Sequence, residues 1–386
     1  MRVAVIGGGM AGLSAAHELL RRGAEPVVFE SAARAGGKVG SHSERGWLTE
    51  DGPGFLARPL DALLEIAGLR GEVVRPAGPA ARWVHFGGRV LRAPGPALLL
   101  RAGLARALLE PLFARPLRED LALREFLVQR LGARAGGLLA SVMAAGVYAG
   151  DASRLSARDA FPLLGALGER GSFLAGVLRG RRGPASGIWS LRRGLGSLAE
   201  GAAAGLGGRL RLGAEIADLA RARRGWQVAG EPFDAVILAL PASRAAALLR
   251  PLSPAFAEAA GALQTAPVTV VHLGFADQGL PRGFGMLDAD GSLHALGTLF
   301  PSSMLPGRAP AGRALLTAIC GGAVHPERAL LPDAELLPRV LADLRLTLGI
   351  RRDPEYVRVV RWTEGIPQVD VGHRDRVRAA RALLAG

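Results

Sequence analysis

Apolar and polar positions open the chain in a strand–turn–helix–strand rhythm. Arg2-Val-Ala-Val-Ile6 is a short apolar run with strand character, followed at once by Gly7-Gly8-Gly9-Met10-Ala11-Gly12. Helical spacing of apolar residues then extends to about Arg22, and a second run, Val27-Val28-Phe29, ends at Glu30. The pattern predicts a helix over 60–69 and a hairpin over 82–91 turning at Gly87-Gly88. From Pro94 to about Leu178 the rhythm is helical, interrupted at Pro111, Pro116 and Pro162. A helix from near Gly196, short strands at 210–212 and 226–228, and a buried strand over Phe233–Pro241 follow. Residues 267–322 read as a mainly antiparallel sheet, 333–348 as an amphipathic helix and 356–362 as a strand.

The opening pattern has a chemical reading. In strand–GxGxxG–helix units Gly7 permits the tight turn, Gly9 lets backbone amides approach a pyrophosphate, and Gly12 lets the helix pack close to the strand. The helix amino terminus carries unpaired N–H groups and partial positive charge, so it suits phosphates. Glu30, at the tip of the second strand, can accept both hydroxyls of an adenosine ribose. Strand, glycines, helix, strand and acid occur in the order a dinucleotide site needs.

Composition narrows the class. The 386 residues suffice for two or three domains. The single cysteine, Cys320, excludes an intramolecular disulfide and fits a reducing, cytoplasmic setting, where a small buried residue is expected. Met1-Arg2 leads straight into the first strand, without the pattern of a secretion signal, and no apolar run is long enough to span a bilayer. A net charge of +14 raises nucleic acid as a partner, but the arginines are dispersed and no basic run interleaved with aromatics occurs. An anionic substrate or an anionic membrane surface fits better. The segment Leu98-Leu-Leu100, Leu104, Leu108-Leu109, Leu112-Phe113, with Arg101, Arg106 and Arg115 between, reads equally as a helix lying on such a surface or as an ordinary packed helix.

Glu30-Ser-Ala-Ala-Arg34-Ala-Gly36-Gly37-Lys38 resembles the E-x-x-x-R-x-G-G-R/K extension of amine oxidase-like flavoproteins, and this favours FAD over NAD. Lys38 is the only lysine in the chain. Further blocks resemble the oxygen-dependent protoporphyrinogen oxidases in family order: Gly146-Val-Tyr-Ala-Gly-Asp151, Arg154-Leu155-Ser156, Ala160-Phe161-Pro162, Glu169, Gly171-Ser172, Leu296–Pro306, Arg308-Ala-Pro310, Gly321-Gly322-Ala323, Trp362–Gln368 and Val371-Gly372-His373. The resemblance implies FAD-dependent oxidation of protoporphyrinogen IX to protoporphyrin IX, with dioxygen accepting the electrons, in haem biosynthesis. It leaves coproporphyrinogen III as an alternative substrate. Outside this family, a carotenoid desaturase, a polyamine oxidase or a non-catalytic homologue without flavin stays open.

The resemblance implies an α/β fold: a discontinuous Rossmann-like FAD-binding domain, an inserted α+β substrate domain and a helical subdomain. The expected division is FAD domain 1–75, substrate domain 76–93, helical and membrane-associating 94–187, FAD domain 188–245, substrate domain 246–330, and 331–386 returning towards the FAD domain. It places Gly7, Gly8, Gly9, Met10, Ala11, Gly12, Glu30, Arg34, Gly37, Lys38, Gly52, Pro53, Gly54, Phe55 and Ile216 against FAD, with Arg34 and Lys38 as cationic donors to its oxygens. Arg82 is implied to hold a substrate propionate, which a guanidinium can grip with two parallel hydrogen bonds. Gly146, Leu287 and Phe300 are implied to line the tetrapyrrole pocket. Neither an acid–base residue nor a metal site emerges from the seven scattered histidines. A homodimer and peripheral contact with the inner face of the cell membrane complete the expected partners. Members of the family continue into an A-G-N-x-x-x-G-V-G-like segment, which this chain does not reach before Gly386; weakened FAD binding is the expectation.

Overall fold

The computed structural model describes residues 1–57, 60–76, 81–103, 109–114, 116–169, 171–172, 187–277, 279–280 and 282–384. Leu104, Arg106, Leu108 and Arg115 of the basic segment, and residues 173–178 of the helical stretch, lie outside them.

Two sheets organise the described chain. The first is parallel, in the order Ala235–Leu238, Arg2–Ile6, Glu25–Glu30, Leu210–Leu212. Val3, Ala4 and Val5 are inaccessible to solvent because helices cover both faces of this sheet, as an apolar parallel strand requires. On one face, Met10–Arg21 and Gly196–Ala204 pack through Leu13, Ala16, Ala199 and Ala202. On the other, Ala242–Leu249 and Pro254–Gly261 bring Ala245, Leu248, Leu249 and Phe256 against Ala4, Ile6 and Phe29. Each large apolar side chain buried there contributes roughly 1.5–3 kcal/mol.

This packing runs across two of the expected bounds. The division at 245/246 cuts a helix whose Ala245 and Ala246 both sit in the parallel-sheet cluster, and Phe256, Ala257 and Ala260 join them. Residues to about 261 therefore go with the first sheet. The buried strand read over 233–241 is instead a half-buried strand, Ala235–Leu238, at the edge of this sheet and paired, among the described residues, only with Arg2–Ile6. Phe233 ends a different strand, Glu231–Phe233, in a three-stranded antiparallel sheet. The helix His373–Ala382 returns to the first cluster through Ala380.

The second sheet has seven strands: Tyr356–Pro367, Thr265–Ala276, Arg313–Gly321, Ala295–Leu299, Gly285–Asp288, Arg82–Phe86 and Arg89–Ala93. All neighbours are antiparallel except Gly285–Asp288 with Arg82–Phe86. The 82–93 hairpin turns on Gly87 and Gly88, both at positive φ (58° and 70°), the conformation of a two-residue turn that matches strand twist. One face is covered by Asp333–Leu348, whose Leu336, Val340 and Leu344 meet Val271, Leu273, Ala318 and Cys320. Burial pushes the Cys320 thiol up to about 12, so it is an inert core group.

Two of the prolines in the helical portion start helices rather than interrupt them, whereas Pro116 lies in the non-helical stretch before Leu123–Leu131. Pro111 sits in the first turn of Glu110–Phe113, and Pro162 opens Pro162–Glu169, where a missing N–H costs nothing. Leu123–Leu131 and Ala133–Tyr148 pack on each other through Leu127, Leu131, Ala135, Ala140 and Ala144. In the basic segment, Leu98 and Ala102 are buried whereas Leu100 and Leu112 are 84% and 75% exposed.

Candidate functional site

The amino-terminal glycines are required by close backbone approach. A Cβ on Gly12 would lie 1.8 Å from the Gly7 carbonyl oxygen, and one on Gly7 (φ +107°) would lie 2.4 Å from that of Ala239. Gly9 is different: its Cβ would meet nothing nearer than the Gly37 Cα at 4.0 Å. Gly36 bridges to Gly9, and the Gly36 N–H donates to the Gly8 carbonyl (2.8 Å). Gly9 and Gly37 thus form a floor of bare backbone beneath the start of Met10–Arg21. That helix opens with no side-chain cap and no acid in its first turn. A floor without Cβ atoms below an uncapped helix terminus fits a pyrophosphate.

Glu30 fixes the far end of this groove. Its Oε2 accepts from the Gly8 N–H (2.7 Å) and its Oε1 from the Ala32 N–H (2.8 Å). Oε2 keeps a second lone pair, and Oε1 otherwise meets the Ser31 hydroxyl at 3.4 Å, a long contact that a ribose hydroxyl can displace. Half-buried Ile216 lies two residues past Ala214, whose N–H donates to the Glu30 carbonyl (2.8 Å), and packs against the core cluster of the parallel sheet. Backbone contacts thus join Gly7, Gly8, Gly9, Gly12, Gly36, Gly37 and Glu30, with Met10 and Ala11 opening the helix beside them, and these residues fit the pyrophosphate and ribose of FAD.

Arg34 does something else. Its guanidinium donates to the carbonyls of Ala35, Val39 and Gly37 and to Asp51 Oδ2 (2.8 Å). Being committed to its own loop, it is a staple and not a free donor to cofactor oxygens. Lys38 is partly buried, which holds its ammonium below the usual lysine range, with the Glu364 charge opposing that shift.

Asp51 is a hub that the sequence reading passed over. It accepts from Arg34 and from Arg358 (2.5 Å), and its carbonyl accepts from Trp362 Nε1 (2.6 Å). These bonds tie the 34–38 loop, the Gly52-Pro53-Gly54-Phe55 turn and the last strand of the large sheet together. Gly52 is needed here because its Cβ would fall 2.5 Å from the Lys38 carbonyl oxygen. Pro53 is exposed, while Gly54 and Phe55 are half-buried.

The turn covers the face of the seven-stranded sheet opposite Asp333–Leu348. Strand register aligns two rows on that face: Arg82, Gly285, Leu299, Thr317 and His272; then Val84, Leu287, Gly297, Ile319 and Val270. Ala133–Tyr148 lies over the second row, where a Cβ on Gly146 would come within 2.9 Å of Leu287 Cδ1. Arg82, exposed, stands 5.5 Å from the Phe284 ring centre, and Phe284 meets Phe55 edge-on at 5.0 Å. Arg82, Leu287 and Gly146 therefore share one face with the turn. Phe300 does not. It is 1% exposed and packs under Asp333–Leu348 with Met286, Leu293 and Ala318, and its neighbour Leu299 points to the site side. Alternation along the strand decides this, since one residue's shift reverses the face.

A cavity of about 50 Å3 lies between the turn and this face, lined by Glu50, Gly52, Gly54, Phe55, His272, Leu299, Thr317 and Arg308 among others. His272 is a neutral imidazole: its Nε2 donates to the Glu50 carbonyl (3.0 Å) and its Nδ1 accepts from the Thr317 hydroxyl (2.9 Å). Burial holds it down to about 4 from 6.5. A depressed histidine contributes stability that is present above 6.5 and lost as pH falls through about 4. His272→Gln is expected to remove about 3 kcal/mol of the stability lost between pH 7 and 4; urea unfolding at both pH values, compared with wild type, measures it.

Among the described residues, His85, Asp288 and Asp290 place ligand-type atoms within 4.8 Å of one another. They are engaged with His85 Nδ1–Asp288 Oδ1 (3.1 Å), and with the N–H groups of Leu293 and Gly87 donating to Asp288 and Asp290. This is a clamp between the 85–87 turn and the 288–293 turn.

With that geometry in view, the comparisons are specific. Residues 10–386 match the family described as flavin containing amine oxidoreductase. Chloroplastic protoporphyrinogen oxidase of Nicotiana tabacum is 29% identical, over 98% of this chain and 78% of its own. Coproporphyrinogen III oxidase of Propionibacterium freudenreichii is 31% identical, over 99% and 84%. A solved structure from Exiguobacterium sp. 255-15, provisionally assigned as a protoporphyrinogen oxidase, superposes with a TM-score of 0.86 at 25% identity, covering 99% of this chain and 91% of that one.

Proposed function

Because the chain belongs to the flavin containing amine oxidoreductase family, we propose that it is an FAD-dependent porphyrinogen oxidase, with protoporphyrinogen IX as substrate and dioxygen as electron acceptor. One observation carries the substrate part of this reading. A broad, largely apolar sheet face meets the 52–55 turn and ends in one exposed cation, Arg82. A porphyrinogen is a large apolar macrocycle with carboxylates at its rim, so an apolar surface with a cationic anchor suits it.

When bound, FAD supplies the hydride-accepting chemistry. The chain's own residues do the rest. The amino terminus of Met10–Arg21 and the Gly9–Gly37 floor hold the pyrophosphate, and Glu30 holds the adenosine ribose. Lys38, Gly52, Pro53, Gly54 and Phe55 border the flavin end. Arg82 takes a propionate, while Leu287 and the bare face of Gly146 leave room for the flat ring; Leu299 replaces Phe300 in that lining. No side chain of the site is assigned as acid or base, and orientation of the macrocycle is the protein's main task.

Arg82→Ala is expected to raise KM about 10- to 100-fold, the loss of a charge-assisted bidentate contact, while flavin content stays unchanged. Steady-state porphyrin fluorescence against flavin absorbance in the same preparation tests this; an unaltered KM removes Arg82 from the site. Coproporphyrinogen III is the second reading, favoured by the 31% identity to the Propionibacterium enzyme, and the two porphyrinogens assayed side by side decide between them.

No helix among the described residues is long and apolar enough to cross a membrane. The reading includes peripheral contact through exposed Leu100, Leu109 and Leu112 beside Arg101. A Leu100→Ser, Leu112→Ser double variant should then lose co-sedimentation with anionic vesicles; retention of it would discard the membrane contact.

A further inference from the structure

Arg308 is the largest charged side chain in the fully buried set, 1% exposed, and it lines the cavity beneath the 52–55 turn. Its Nη2 donates to Ser190 Oγ (2.8 Å) and to the Leu191 carbonyl (3.1 Å), and lies 3.6 Å from Glu50 Oε1. Its Nη1 has no hydrogen-bond partner among the described residues. A buried guanidinium keeps its charge at any pH a protein survives, so an unused donor there is costly unless something fills the space beside it.

We propose that this cavity is a binding site for a small monovalent anion of the chloride class, held by Arg308 Nη1 and taken up together with a proton on Glu50. The volume, about 50 Å3, is several times the roughly 10–15 Å3 that a single water requires. Charge selects an anion over water. Among the described residues the only carboxylate facing Arg308 within salt-bridge distance is Glu50, and burial pushes Glu50 up to about 7 against hydrogen bonds from Ser41 and Leu195 and the pull of Arg308. Once Glu50 is protonated, the buried cation has no counter-charge inside the cavity. An anion supplies it.

The remaining charged groups around the pair do not fill that role. On Thr265–Ala276, His272 is neutral and bonded to the Glu50 carbonyl and Thr317. Asp51, next to Glu50, is committed to Arg34 and to Arg358 of the Tyr356–Pro367 strand. From Arg313–Gly321, Arg313 faces outward and pairs with Glu355.

Linkage makes the site recognisable. Because anion and proton enter together, each raises the affinity for the other. Thermal unfolding at constant ionic strength, with chloride exchanged for gluconate, is the test. At pH 6 chloride should raise Tm by roughly 2 °C, the effect of about a tenfold excess over Kd on a chain this long; at pH 8 the rise should shrink. Glu50→Gln removes the competing carboxylate, so its chloride effect should be equal at both pH values. Arg308→Met should show none. If Arg308→Met does not fold, crystals of the wild-type protein grown in bromide at pH 6 give the same answer by anomalous scattering beside Arg308 Nη1. Water alone at that position, a pH-independent chloride effect in the wild type, or one that survives in Arg308→Met would overturn the proposal. Flavin content and porphyrinogen turnover are not part of this readout, so its failure leaves the oxidase reading untouched.

Discussion

Gly12→Val is expected to yield protein that carries no flavin and is destabilised by several kcal/mol. The Cβ position is 1.8 Å from the Gly7 carbonyl oxygen and 3.2 Å from Ala239 Cβ, and backbone cannot yield as a flexible side chain can. Accommodating a branched side chain forces Met10–Arg21 away from the Arg2–Ile6 strand. Overpacking alone costs about 1–3 kcal/mol, and displacement also removes Leu13 and Ala16 from a core where neither is accessible to solvent. The same movement lifts the helix amino terminus off the Gly9–Gly37 floor. Flavin absorbance of the purified variant and its urea midpoint measure both effects. A yellow, equally stable Gly12→Val protein would mean that the close strand–helix contact is wrong.

The second large effect separates two neighbours. Phe300→Ala is expected to cost about 3–5 kcal/mol of stability, the usual penalty for a fully buried aromatic, because Phe300 packs between the large sheet and Asp333–Leu348. KM for porphyrinogen should move little in whatever folded protein remains. Leu299→Trp should act chiefly on KM, raised about tenfold or more by bulk on the sheet face in the row of Arg82 and Thr317, with a smaller stability loss of about 1–3 kcal/mol from overpacking. Chemical unfolding and steady-state kinetics on the two variants form one experiment. If Phe300→Ala disturbed KM and left stability alone, the assignment of faces would be reversed.

That pair also marks how far the sequence could be read. The first thirty residues were legible because every feature there is local: a continuous apolar strand run, three glycines at fixed offsets, and an acid one strand later. The hairpin at Gly87-Gly88 and the helix Asp333–Leu348 were legible for the same reason. Phe300 was misplaced because its block was matched as a motif, without the period-two phase of Ala295–Leu299, and phase alone says which side a residue faces. Arg34 was misread because a cation beside a glycine pair suggests a ligand, whereas its partner Asp51 lies 17 residues on. Asp51, Arg308 and His272 were missed as a connected set. Their partners, from Ser190 and Thr317 to Arg358 and Trp362, are distant in sequence, and no spacing rule announces them. The edge position of Ala235–Leu238 was likewise invisible, since an apolar run does not record how many neighbours it has.

The chain's dinucleotide groove and sheet face have one joint claim to answer: flavin bound at the first must be reduced by a porphyrinogen bound at the second. The direct measurement is anaerobic mixing of the purified, flavin-loaded protein with protoporphyrinogen IX, followed at once by absorbance and porphyrin fluorescence. Bleaching of the flavin band in step with porphyrin formation, and recovery of the band on admitting air, is the predicted result. Flavin that stays oxidised with protoporphyrinogen IX and coproporphyrinogen III alike, in a protein that binds FAD, would contradict it.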